Sequence, residues 1–242
     1  MNRYRLAIFD LDGTILDTLE DLADALNEGL TAFGYPPVTL AQARARIGNG
    51  IRRMVELSVP ETCPDQEIDA IRDRLAEYYH QHCCDKTRPY PGILEAFRLL
   101  RERGVKTAVV SNKIDPVVQI LCDTFFPDLL DYSAGEKTGI RKKPEPDMVR
   151  NALEALHADA AETVYVGDSD VDIRTAGNAG LPSVIVTWGF RDKPYLLEQG
   201  AERIADTVDE MLELILGEDE GAALFHAPAY LPNDSGSCYN ET

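Results

Sequence analysis

The chain has 242 residues, of which 42 are acidic and 24 basic, giving a formal net charge of -18. Hydrophobic residues at 44% and charged residues at 27% are ordinary globular usage, enough for a sizeable core. So acidic a surface excludes nucleic acid and anionic lipid as partners, because both are held mainly by Lys and Arg. A phosphorylated ligand would need a local positive field.

The cysteines are Cys63, Cys83, Cys84, Cys122 and Cys238. Their odd number and irregular spacing argue against a disulfide framework or a zinc site. Cys83 and Cys84 are expected on one helix with side chains pointing apart. The opening Met-Asn-Arg-Tyr-Arg runs straight into a strand-like segment, so no signal peptide is expected. No apolar run approaches the roughly 20 residues of a membrane span, and the expected location is the cytoplasm.

In chain order, Arg5 to Phe9 is a short apolar run that stops at Asp10. Thr18 to Phe33 carries Leu19, Leu22, Leu26 and Leu30 at three- and four-residue steps, which predicts an amphipathic helix ended by Gly34 and Pro36. Leu40 to Val59 and Asp65 to Cys84 continue as helical patterns, and Arg88 to Gly92 reads as a return linker. Ile93 to Arg103, Pro116 to Phe125 and Asp147 to Leu156 are further helices. Between them, the runs KTAVV, ETVYV and PSVIV end at Ser111, at Gly167 and Asp168, and at Thr187. Near-continuous Val/Ile/Ala runs suit strands covered on both faces.

The fold class is therefore α/β, a doubly wound, Rossmann-like parallel-sheet core with a helical insertion after the first strand. The expected boundaries are 1–15 and 89–216 for the core, 16–88 for the insertion and 217–242 for a flexible tail. An insertion tethered at two points could act as a lid that excludes water.

Four pieces carry chemistry. Phe9 to Thr14 reads FDLDGT, placing Asp10 and Asp12 at a strand's carboxyl end, where open α/β folds bind ligands. Gly13 lets N–H groups turn toward an anion. Gly167 to Asp172 places Asp168, Asp170 and Asp172 after another strand. Ser111 and Asn112 offer a hydroxyl and N–H groups for a phosphate oxygen, and Lys142 and Lys143 offer positive charge. Each piece alone has a plainer reading: an Asp-Gly turn, an acid-rich turn, a helix N-cap and a solvated basic loop. Together they gather carboxylates that repel by roughly 4 kcal/mol per pair at about 4 Å and an effective dielectric of 20. Such a cluster calls for a cation, and all-oxygen donors favour Mg²⁺.

The ordered quartet resembles the haloacid dehalogenase superfamily of phosphotransferases from about Arg3 to Leu216. The resemblance implies that Asp10 is the nucleophile and Asp12 the general acid and base. It implies Mg²⁺ on Asp10, the Asp12 carbonyl oxygen and Asp168, with Asp172 nearby or reaching it through water. Ser111 and Lys143 would bind the transferring phosphoryl group, beside Gly13, Thr14 and Asn112. The insertion corresponds to the superfamily's cap domain. Dehalogenases and phosphonatases of the superfamily lack an acid at the Asp12 position, so Asp12 argues against both.

Within the superfamily, Ile47-Gly-Asn-Gly50 with Arg52 and Arg53, Tyr90-Pro-Gly92, Ser111-Asn-Lys113 and Trp188-Gly-Phe-Arg191 most resemble the phosphoglycolate phosphatase group. That implies a small phosphorylated metabolite as partner, with Asn49 and Arg52 or Arg53 as cap contacts. Arg52 and Arg53 read equally well as surface charges on a helix. The rival substrates are pyrophosphate, a sugar phosphate or a nucleotide. The rival classes are a phosphomutase and a silent binding protein, the latter disfavoured by the intact Asp10, Asp12, Lys143 and Asp168. Asp17 reads as a local hinge or helix-cap contact, Tyr78-Tyr79 as cap packing, and His80 and His82 as structural.

Overall fold

The structure is a computed structural model and describes residues 3–217. The first strand, β1 (Leu6–Phe9), is buried at every position. After it come a two-residue strand, β2 (Leu16–Asp17), and four helices, α1 (Leu19–Ala32), α2 (Leu40–Arg46), α3 (Ile51–Glu56) and α4 (Asp65–His82). A second short strand, β3 (Arg88–Pro89), pairs antiparallel with β2. Then helices and strands alternate: α5 (Ile93–Glu102), β4 (Lys106–Ile114), α6 (Asp115–Phe125), β5 (Tyr132–Glu136), α7 (Asp147–Leu156) and β6 (Thr163–Gly167). The chain continues through α8 (Asp170–Ala179), β7 (Ser183–Val186), α9 (Lys193–Glu198), β8 (Ile204–Ala205) and α10 (Val208–Leu216).

Six strands form one parallel sheet in the order β5-β4-β1-β6-β7-β8. Both faces are dry. Ala7, Phe9, Val109, Val164, Val166, Val184 and Val186 pack on one side with Phe97, Leu121 and Met211. Leu6, Ile8, Ala108, Val110 and Tyr165 pack on the other with Met148 and Val149. Two-sided burial is why these strands lack the alternation of a half-exposed sheet. The sheet is α/β and Rossmann-like, and its central strand is the first one made.

Several details differ from the sequence reading. Leu16 to Asp17 and Arg88 to Pro89 form a two-stranded ribbon at the base of the four helices, where the sequence suggested only helix and linker. The buried Asp21 carboxylate seals this ribbon by accepting from the N–H groups of Lys86 and Thr87 and the Thr87 hydroxyl. The helical pattern from Leu40 to Val59 breaks between α2 and α3, where Gly48 and Gly50 take positive φ of 118° and 86°. α4 ends at His82, so Cys83 and Cys84 lie past the helix and their sulfurs sit 3.8 Å apart instead of diverging. β5 and β8 have no counterpart among the apolar runs. The expected tail lies, past Gly217, outside the described residues.

Candidate active site

Parallel strands deliver their carboxyl ends to one edge of the sheet, and there the polar residues converge. Asp10 follows β1, Ser111 to Lys113 close β4, Asp168 follows β6, and Lys143 arrives on the loop before α7. Lys143 Nζ lies 2.8 Å from Asp10 Oδ1 and 2.9 Å from Asp172 Oδ1, and donates to the Tyr165 hydroxyl at 3.1 Å. The Leu11 N–H also donates to Asp10 Oδ1, at 2.7 Å. Asp172 is wholly buried, and its other oxygen accepts from the Ser169 N–H at 3.1 Å and hydroxyl at 2.6 Å. The Phe190 N–H donates to Asp168 Oδ2 at 2.6 Å.

Asp10, Asp168 and Asp172 each offer a carboxylate oxygen within 4.8 Å of the others. Burial, with the neighbouring Asp172 and Asp12 charges, raises the Asp10 carboxyl to about 7 against the pull of Lys143. Burial likewise raises Asp168 well above the carboxylate range, aided by Asp172 and Asp10. Burial alone would lower the Lys143 ammonium, but Asp10 and Asp172 outweigh it and hold the proton on. Lys143 thus pairs with two of three clustered carboxylates, and negative charge is left in excess. The excess negative charge and the all-oxygen donor set fit a hard divalent cation.

Across the site stand the four helices. A cavity of about 60 Å³ lies between them and the sheet edge, with Asp10, Asp12, Lys143 and Asp168 on the polar wall. Ile47, Ile51, Met54 and Leu75 form the apolar wall. Asp12 Oδ1 accepts from the Thr18 hydroxyl at 2.6 Å and faces the Lys113 ammonium at 2.9 Å. Lys113 in turn donates to the Tyr79 hydroxyl at 2.6 Å, joining α4 to the sheet edge. Two arginines clasp the same seam reciprocally. Arg44 of α2 donates to the carbonyls of Gly189 and Phe190, and Arg191 donates to the carbonyls of Arg44 and Ile47.

The structure brings Asp10, Asp12, Ser111, Asn112, Lys143 and Asp168 to one cavity, with Asp172 directly behind Lys143. Gly13, at φ 81°, packs so closely on Asp168 that no Cβ would fit. The Thr14 hydroxyl lies 3.4 Å from Asp168. Asn112 donates to the Lys143 carbonyl at 3.0 Å, and its buried Oδ1 has no partner among the described residues. Asn49 and Arg52 do not line the cavity. The Lys142 ammonium reaches the Asn49 carbonyl at 3.5 Å, and the Arg52 guanidinium is held on the helices by Glu56, Asp65 and Asp69. Arg53 pairs with Glu56.

Sequence reasoning passed over Tyr165, quoted Lys113 only within the Ser111-Asn-Lys113 resemblance and read Tyr79 as packing. A tyrosine inside the Val-rich run of β6 was the visible signal for the first. The stripe Ile68, Ile71, Leu75, Tyr79 carries a hydroxyl only at its last position, and that hydroxyl points into the site rather than merely packing. His82 pairs with Asp85 at 2.8 Å, away from the cavity.

The family described as haloacid dehalogenase-like hydrolase matches residues 7–186. The chain belongs to this family and is a hydrolase. It is similar to the phosphoglycolate phosphatase of Agrobacterium fabrum, 35% identical over 78% of this chain and 83% of that one. It is similar too to that of Rhodobacter capsulatus, 36% identical over 77% and 86%. Among solved structures, a Lactobacillus delbrueckii subsp. bulgaricus protein assigned as a phosphoglycolate phosphatase superposes with a TM-score of 0.85 at 39% identity, covering 90% of this chain and all of that one.

Proposed function

We propose that this protein is a magnesium-dependent phosphatase that hydrolyses a small phosphate monoester, 2-phosphoglycolate, through an aspartyl-phosphate intermediate on Asp10. The observation that carries the reading is the buried Asp10 carboxylate, held by the Leu11 N–H and Lys143 on the wall of a small cavity that Asp12 also lines.

An Asp10 oxygen attacks phosphorus and the bond to the ester oxygen breaks, Asp12 giving the leaving alkoxide its proton. Asp12 then takes a proton from water, whose oxygen attacks phosphorus, breaking the aspartyl bond and releasing phosphate. Lys143 and the Ser111 hydroxyl bind the phosphoryl oxygens, and the lysine offsets charge as it gathers there. The carboxylates of Asp10 and Asp168 and the Asp12 carbonyl would hold Mg²⁺, with Asp172 fixing Lys143 beside them. When bound, the ion supplies positive charge at the transferring group. The four helices act as a cap that keeps out bulk water, and the protein works in the cytoplasm.

A volume of 60 Å³ holds on the order of four waters, which favours a compact ester over a nucleotide. The named relatives support phosphoglycolate among such esters. Steady-state phosphate release with Mg²⁺ across a panel of phosphorylated metabolites tests the reading. Phosphoglycolate should lead in kcat/KM; a leading sugar phosphate or pyrophosphate would overturn the substrate, and no turnover of any ester would overturn the enzyme.

A further inference from the structure

Resting on the phosphatase reading, we propose that Lys113 selects the substrate by pairing with a carboxylate on the carbon that carries the ester oxygen. The class of ligand is the phosphate ester of a short α-hydroxy acid.

The position of the charge carries this. Asp12 must reach the ester oxygen to protonate it, and Lys113 Nζ stands 2.9 Å from Asp12 Oδ1. A group separated from that oxygen by one methylene therefore falls beside the ammonium. Lys113 is buried and lines the cavity, held from the sheet edge by Asp12 and from α4 by Tyr79, whose ring lies 4.3 Å from the ammonium. An ammonium has three donors. Asp12 and the Tyr79 hydroxyl take two, and the third is left for the cavity.

The other cations that line the cavity, Lys143 and Arg191, already hold partners, and Lys142 stays outside it at the Asn49 carbonyl. Lys143 serves Asp10, Asp172 and Tyr165 on the phosphoryl side. Arg191 donates to the carbonyls of Arg44 and Ile47 and faces Asp170 at 3.9 Å, and Arg52 pairs with three carboxylates of the helices. On the side of the helices the wall around Lys113 is Ile51, Met54, Leu75 and Ala76, which suits a methylene, while the remaining polar lining, Ser111, Asn112 and Ser169, comes from the sheet edge on the phosphoryl side. A substrate carrying one extra anion, close to the ester and with no other polar group, matches that wall.

The test compares 2-phosphoglycolate with ethyl phosphate, which has the same reacting end and no carboxylate. The readout is the ratio of their kcat/KM values in wild-type, Lys113→Met and Lys113→Arg proteins, with circular dichroism confirming each fold. The wild-type ratio should favour phosphoglycolate. Lys113→Met should lower it roughly 10- to 100-fold, the worth of a hydrogen bond to a charged group, and Lys113→Arg should restore a part. If Lys113→Met does not fold, competition with a second neutral variant answers: glycolate should inhibit wild type far better than Lys113→Gln, and equal inhibition would overturn the inference. A ratio unchanged in Lys113→Met while both rates fall would overturn the inference, leaving Lys113 as a support for Asp12. A wild-type protein that cleaves both esters without preferring phosphoglycolate would overturn the substrate reading, and this inference with it.

Discussion

The Lys143 ammonium stands 2.8 Å from the Asp10 carboxylate, and both groups are buried at the centre of the sheet edge. Removing one partner of such a pair strands the other. Lys143→Met should cost about 3–5 kcal/mol of stability in urea titrations and at least roughly 100-fold in kcat. Adding Asp172→Asn should return part of the stability without returning the activity.

The carboxylate cluster ties metal to pH. Asp10 is held at about 7 against the ordinary 3.8, so between those values the folded, metal-free protein keeps a proton that the unfolded chain has lost. Its stability should therefore fall as pH rises from about 4 to about 7, and Asp168, raised in the same direction, adds to the fall. A cation takes the place of those protons. The gain in Tm on adding saturating Mg²⁺ to EDTA-treated protein should be larger at pH 8 than at pH 5.5. Equal gains would contradict a metal held by these carboxylates.

Gly189 lies against the Asp168 side chain and the Gly13 carbonyl, where no Cβ has room. Gly189→Ala must push Asp168 out of place. We expect metal affinity to weaken roughly 10- to 100-fold, as for a lost supporting contact at a metal site, measured by titrating Mg²⁺ into the activity assay.

Arg44 fastens the helices to the loop that orients Asp168, through the carbonyls of Gly189 and Phe190. Arg44→Ala should raise KM roughly five-fold, the worth of about 1 kcal/mol, and speed hydrogen exchange in α2 and α3. An unchanged exchange pattern would mean the clasp does not hold the cap.

Much of this was legible in the chain. Asp10 and Asp168 each follow an apolar run that stops abruptly, so parallel pairing brings them to one edge. Other features left no local trace. β5 reads YSAGE, with no β-branched residue, and β2, β3 and β8 are two residues long, below any periodicity. Arg52 reads equally well as a ligand or a surface charge, because spacing reveals its partner Glu56 one turn on but not Asp65 and Asp69 on another helix. Lys113 and Tyr79 meet across 34 residues for the same reason, and only the packed helices show why that lysine is buried.

On the proposed route Asp10 carries the phosphoryl group between the ester and water. Rapid acid quench of the wild-type protein during turnover of 2-phosphoglycolate, followed by peptide mass mapping, tests it directly. The expected result is a single added phosphoryl group on the peptide containing Asp10, absent from Asp10→Asn, which should also release no phosphate. Full turnover by Asp10→Asn, or a phosphoryl group on any other residue, would contradict it.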